Sequence, residues 1–241
     1  MFARFANIPI DIPCYKSLSN YRTNPLIKPY MDKLIEVTTK PLSAVEKDFS
    51  TDATGASTKT FSSWYSIRVG KKSRKRDHIM AHVTSSRILN AVVAVDVNCN
   101  KGKDNQYLRE HVKEVRKNFR IDDWCGDSMY LSRANCNAVS EVGGVPWFKP
   151  KKNTTSKPKS SPSWKKMVKE FKENPDNANM HYHKRSNSES TMHAKKAKFG
   201  NFVRSKNNTA KENEEQMKWV NYNFTVLSRA WFEFGIKPKF S

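Results

Sequence analysis

A chain of 241 residues with 44 Lys and Arg against 23 Asp and Glu carries a formal charge of +21. That field attracts polyanions and puts nucleic acid ahead of an anionic membrane surface as partner. No apolar stretch is long enough to span a bilayer, and Met1 to Pro13 lacks the basic-then-apolar order of a secretory signal, so an intracellular setting is expected.

Residues 1–46 read as a mostly helical arm, punctuated by prolines at 9, 13, 25, 29 and 41 and clearest from Pro29 to Val37. From Lys47 the character changes. Val45 to Thr51 reads as a strand ending at Asp52. Phe61 to Val69, Ala81-His82-Val83 and Ala91 to Val97 are further strand-like runs, with the charged stretch Lys71 to Asp77 as a hairpin tip. Tyr107, Leu108, Val112, Val115 and Phe119 recur at helical spacing, with Asp104 as N-cap. Trp124 to Asp127 is a short buried strand. Ser132 then caps a helix with Ala134, Ala138 and Val142 on its inner face, stopped by Gly143-Gly144, and Val145 to Phe148 is another strand. Residues 149–163 form a loop or insertion. Helices follow at Trp164 to Phe171, His181 to Phe199 and Thr209 to Phe234, the last burying Met217, Val220, Phe224, Leu227 and Trp231. This order predicts an α/β fold, one mixed sheet flanked by helices as in ribonuclease H-like folds, over 47–241 with a basic insertion near 149–172.

Cys14, Cys99, Cys125 and Cys136 make no C-x-x-C pair, so chemistry falls to the carboxylates. Asp52 ends a strand and precedes Ala53-Thr54-Gly55, which leaves room for a phosphate; taken alone, an Asp that starts a turn is the plainer reading. Asp127 ends a short apolar strand where a helix follows, a frequent ligand position but equally an Asx turn or cap. Asp96, Asp104, Asp122 and Asp123 are alternatives, the last two in place of Asp127. Tyr182, Glu189 and Lys196 are seven apart and Arg185 sits between the first two, so one helical face carries all four. A solvated face with one Arg–Glu pair is the bland account of that row. Carboxylates gathered together stay ionised only around cations, and hard oxygen ligands suit two Mg²⁺ or Mn²⁺ ions acting on a phosphodiester. Lys184 and Lys195, on the same helix, are candidates to grip the DNA backbone. His181 and His183 point about 200° apart on a helix, which suits backbone contact or solvent better than a shared metal. The lysines of 149–172, with Trp147 and Trp164 nearby, suit phosphate contact with stacking, or a solvated insertion.

The spacing Tyr182-x₂-Arg185-x₃-Glu189-x₆-Lys196 resembles the Tyr-Arg-Glu-Lys signature of insertion-sequence transposases of the DDE superfamily. Phe49-Ser50-Thr51-Asp52-Ala53-Thr54-Gly55 resembles that family's first-Asp motif, Gly126-Asp127-Ser128-Met129-Tyr130-Leu131-Ser132 its second, and Phe199-Gly200-Asn201-Phe202 the stretch after its catalytic helix. The resemblance covers roughly residues 14–236. It implies a ribonuclease H-like core, Asp52, Asp127 and Glu189 as catalytic residues holding two Mg²⁺ or Mn²⁺ ions, and Tyr182, Arg185 and Lys196 on DNA. It implies cleavage at transposon ends and strand transfer into double-stranded target DNA, with no membrane partner, by a homodimer in a prokaryotic cytoplasm at the nucleoid. Members are usually longer at the N-terminus, so an N-terminally truncated copy is expected. The alternative is a catalytically inactive transposase-derived DNA-binding protein, and a ribonuclease H-like nuclease without strand transfer is a third reading.

Overall fold

Strand β1, Asp48–Ser57, is built from small and polar residues, yet it is the centre of the molecule. The computed structural model describes residues 13–58, 68–70, 78–99, 104–157 and 160–238. Four further strands complete one sheet: β2 His78–Ser86, β3 Val92–Asn98, β4 Asp123–Gly126 and β5 Val145–Phe148, in the order β3-β2-β1-β4-β5. β1, β2 and β3 pair antiparallel, while β1, β4 and β5 pair parallel. With its flanking helices this mixed sheet is the ribonuclease H-like arrangement expected from the element order.

Small residues hold a central place here because their polar groups are paired. Trp124 Nε1 donates to Thr51 Oγ at 3.0 Å, Thr51 and Thr84 share a hydroxyl contact at 2.7 Å, and Thr84 meets His111 Nδ1 at 2.8 Å. Every one of those side chains is buried, so each bond offsets a desolvation penalty. On the same side Phe49 packs edge-on against Phe119 at 5.4 Å and tilted against Trp124 at 5.7 Å. At the strand's entrance buried Glu46 accepts from Ser86 Oγ at 2.8 Å, Ile88 N at 3.0 Å and Leu89 N at 2.6 Å, fixing the β2–β3 turn.

The helices are α1 Tyr15–Thr23, α2 Ile27–Thr39, α3 Tyr107–Arg116, α4 Arg133–Glu141, α5 Pro162–Glu173, α6 Pro175–Tyr182, α7 Ser186–Phe199 and α8 Asn208–Phe234. α2 and α8 pack on each other and on β3, α3 packs on β3 and α4, and α7 lies across β1 and β2 against α8. Ser132 Oγ accepts from Asn135 N, as expected of the α4 cap, and Gly143, at φ 90°, ends that helix in a conformation glycine favours.

Several expectations change. The helix expected from His181 to Phe199 is broken: α6 ends at Tyr182, and a 3-10 turn, His183–Arg185, precedes α7. Asp104 opens a 3-10 turn, Asp104–Gln106, rather than capping α3, whose cap position is Gln106. α4 buries Asn135, Cys136 and Val139; of the expected Ala134, Ala138 and Val142, Val142 packs half-buried against the core while Ala134 is exposed. In α8 Val220 and Leu227 are buried as expected, but Met217, Phe224 and Trp231 are exposed, and Asn213, Gln216 and Asn223 face inward. Their partners explain this. Asn213 donates to Arg22 O at 2.8 Å, Gln216 to Asp32, and Asn223 clasps Val92 with bonds of 2.9 and 2.7 Å to its N–H and carbonyl. Phe61–67 of the Phe61 to Val69 run and all of Lys71 to Asp77 lie outside the described residues.

Lys195 of α7 and Glu215 of α8 form an ion pair in which each side chain is 1% exposed. Lys195 also lies 4.8 Å from the Trp219 ring centre. Removing one partner strands a buried charge, so Lys195→Met is expected to destabilise the fold by about 3–5 kcal/mol. The check is urea denaturation, in which Lys195→Met with Glu215→Leu together lose less than Lys195→Met alone.

Candidate active site

The parallel register of β1 and β4 ends with Thr51 opposite Gly126. The next residue on each strand is an aspartate, so Asp52 and Asp127 stand side by side where β4 leaves the sheet. Gly126 is required by this corner: a Cβ there would lie 2.9 Å from the Phe148 ring. Gly55, by contrast, has only ordinary contacts, with His78 at 3.6 Å. Asp127 accepts from Met129 N and its carbonyl accepts from Tyr130 N at 3.1 Å, so the Asx turn weighed above is present at the same residue.

Asp52 Oδ1 accepts from Ala53 N at 2.9 Å and Oδ2 accepts from Arg185 Nη2 at 3.2 Å. Burial pushes its carboxyl pKa up, Arg185 pulls it back, and the neighbouring charge of Asp127 pushes it up again. The same Arg185 nitrogen lies 3.5 Å from Glu189 Oε1. Asp52 and Glu189 are therefore within two hydrogen-bond lengths of each other, across one guanidinium. Burial works against the charge of Arg185, but Asp52, Tyr182, Glu189 and Asp127 outweigh it and raise its pKa. Burial likewise raises the Tyr182 phenol, against a hydrogen bond from Arg185, with Asp127 and Asp52 adding to the rise. Arg185 is thus the common neighbour of Asp52, Asp127, Glu189 and Tyr182.

Glu189 remains 63% exposed, and Lys196 lies half-buried further along α7. Among the described residues no three His, Cys, Asp or Glu side chains stand close enough together to hold one metal ion, and the Arg185 guanidinium lies between Asp52 and Glu189. Lys149 Nζ sits 5.8 Å from the centre of the Tyr182 ring and so brings the start of the 149–172 stretch to this site.

Two expected DNA contacts are corrected. Lys195 is buried with Glu215 and belongs to the core. Lys184 is turned inward, 3.0 Å from Asp48 and bonded to Asp123. His181, expected at solvent or on DNA, stacks on Trp147 at 4.5 Å and reaches Asp123 Oδ2 at 2.6 Å, while His183 is exposed. Three of the four alternative carboxylates have other partners: Asp96 with His111 and Lys28, Asp122 with Lys47 and Arg120, and Asp123 with Lys184 and His181; Asp104 lies in the 3-10 turn before α3. Sequence reading passed over Asp48, whose opposition to Asp123 only the strand register reveals. It also passed over His82, stacked on Tyr107 at 4.0 Å and 3.4 Å from the Tyr130 hydroxyl, beneath the Asp127 turn.

No curated protein matches the chain. The family model described as the transposase DDE domain matches residues 44–224. That stretch runs from just before β1 into α8 and includes both central aspartates and the Tyr182 to Lys196 segment, so the chain belongs to the transposase DDE domain family.

Proposed function

We propose that this protein is the catalytic part of an insertion-sequence transposase of the Tyr-Arg-Glu-Lys subgroup, cutting DNA at transposon ends and joining those ends to target DNA. One observation carries the reading: Asp52, in the middle of β1 rather than at the strand end expected for it, adjoins Asp127 just past the end of β4, with Tyr182, Arg185 and Glu189 gathered on them.

The donors fit divalent cations. All three are carboxylates, the hard oxygen ligands that Mg²⁺ and Mn²⁺ take. One guanidinium faces three carboxylates, so the group keeps a net negative charge that a divalent ion would balance. Asp52, Asp127 and Glu189 would hold two such ions, which when bound stabilise the attacking and leaving oxygens of a phosphodiester. Arg185 now occupies oxygens of Asp52 and Glu189 that would hold a metal ion, and its guanidinium is the group on this site suited to a phosphate. The Tyr182 phenol, held protonated by burial, donates to the DNA backbone, and Lys196 extends the cationic track along α7. In the first step water attacks the scissile phosphorus and the transposon 3′-oxygen leaves as a hydroxyl. In the second that hydroxyl attacks a target phosphorus and displaces a target 3′-oxygen. A homodimer would pair the two ends.

A second reading, DNA binding without cleavage, is favoured by the exposure of Glu189 and its hold on Arg185. Labelled duplexes made from the DNA that flanks this chain's own reading frame, incubated with the protein and Mg²⁺ or Mn²⁺, separate the two. Metal-dependent cutting, abolished by Asp52→Asn and by Asp127→Asn with binding retained, is the expected result; binding without cutting at any metal concentration selects the second reading. In the same assay Arg185→Ala is expected to lower the cutting rate roughly 100- to 1,000-fold, the loss typical of a positioned charge at a reacting phosphate.

A further inference from the structure

The candidate site accounts for one ion cluster on this face of the sheet, and a second lies beside it. Asp48 and Asp123 are opposed in the β1–β4 register, four positions before Asp52 and Asp127 on their strands. Strand residues alternate between faces, so both acidic pairs share one face. Lys184 Nζ bridges the second pair, 3.0 Å from Asp48 Oδ2 and bonded to Asp123 Oδ2. Arg185, the next residue, bridges Asp52 and Glu189.

Further bonds tie the second cluster to residues 181–187, directly or through one intermediate side chain. His181 Nδ1 is 2.6 Å from Asp123 Oδ2 and its ring stacks on Trp147, whose indole N–H donates to Asp123 Oδ1 at 2.9 Å. The Cys125 thiol donates to His181 O at 3.3 Å. Arg87 donates to Asp48 Oδ2 at 3.0 Å while its carbonyl accepts from Asn187 Nδ2 at 2.8 Å. Lys184 is 17% exposed, and although burial disfavours its charge, Asp123 and Asp48 outweigh that and raise its pKa.

We infer that Asp48, Asp123 and Lys184 form a clamp that positions the Tyr182–Arg185 turn over Asp52, with Lys184 a positioning residue that does not touch DNA. The clamp stands on geometry alone; its effect on cutting rests on the transposase reading. Without the Lys184 charge two adjacent carboxylates repel, the turn lifts, and a 3.2 Å contact such as Arg185–Asp52 passes beyond hydrogen-bonding range with a shift of roughly 1 Å.

Cys125 reports the turn independently of activity. It is 1% exposed and bonded to His181 O, while Cys136 in α4, also buried, reports global unfolding. The experiment measures maleimide labelling of both thiols by peptide mass spectrometry, binding of supercoiled plasmid DNA, and nicking of that plasmid in Mn²⁺, for wild type, Lys184→Met and Lys184→Arg. Lys184→Met is expected to label Cys125 roughly tenfold faster with Cys136 still protected. It is expected to nick roughly 100-fold more slowly with plasmid affinity unchanged, and Lys184→Arg to restore both. Three results overturn the clamp: Cys125 as protected as in wild type, Cys136 exposed together with Cys125, or a loss confined to plasmid affinity with the salt slope reduced by about one. A wild-type chain that neither binds nor nicks plasmid overturns the proposed function, and the cysteine readout then decides the clamp alone.

Discussion

Carboxylates on neighbouring strands cannot stay ionised side by side in a half-buried face unless a cation stands between them. β1 and β4 present two such pairs on one face of the sheet, and the chain answers with consecutive basic residues, Lys184 and Arg185. The architecture of this side of the molecule follows from that demand. α6 stops at Tyr182, the turn His183–Arg185 tightens, and α7 starts from it toward β1 and β2. The two pairs then differ in what closes them. Lys184 is hemmed in by Trp147, His181 and Arg87, whereas Arg185 adjoins the exposed Glu189. The closed pair suits a fixed support, the open pair exchange with solvent cations or phosphate.

The opposite side of the sheet meets a different problem, that of keeping a strand of small polar residues at the centre. The run Trp124, Thr51, Thr84 and His111 continues through Asp96, 3.3 Å from His111, to Lys28 of α2. His111 pulls the Asp96 carboxyl below its usual range against burial, as a firm partner does. A connected polar run of this kind rigidifies the strand that carries Asp52 without bulky side chains that would fill the face above it.

Strand and helix periodicity made most of the elements legible in the sequence, and the spacing of Tyr182, Arg185, Glu189 and Lys196 made the segment opposite β1 legible. What stayed hidden depends on partners distant in sequence. Asn213, Gln216 and Asn223 look like a solvated stripe until the backbone of residues 22–24, Asp32 and the start of β3 are placed against them, and that misreading rotated the expected core of α8. Lys184 and Lys195 look like surface cations on any helical wheel; only the sheet register supplies Asp48 and Asp123, and only the packing of α7 on α8 supplies Glu215. Spacing put Arg185 beside Glu189, but that one guanidinium also bridges to Asp52 depends on a fold that spacing does not contain.

The stretch after α7 closes a circuit. Gly200, at φ 77°, turns the chain back, and Phe202 bridges to Ser57, with bonds of 2.8 Å from Ser57 N to Asn201 O and from Val203 N to Ser57 O. α7 is thereby fastened to β1 at both ends, through Arg185 at Asp52 and through Asn201 and Val203 at Ser57. The strand from Asp52 to Ser57 rises about 16 Å and α7 from Ser186 to Phe199 about 20 Å, so strand and helix run alongside each other over a comparable span. Two arms tied at both ends work as a gauge: one residue gained or lost within α7 moves Glu189 by about 1.5 Å and 100° against the strand. A change of chain length is therefore tolerated more readily outside this circuit, as in the lysine-rich loop after β5, than in the interval from Arg185 to Val203.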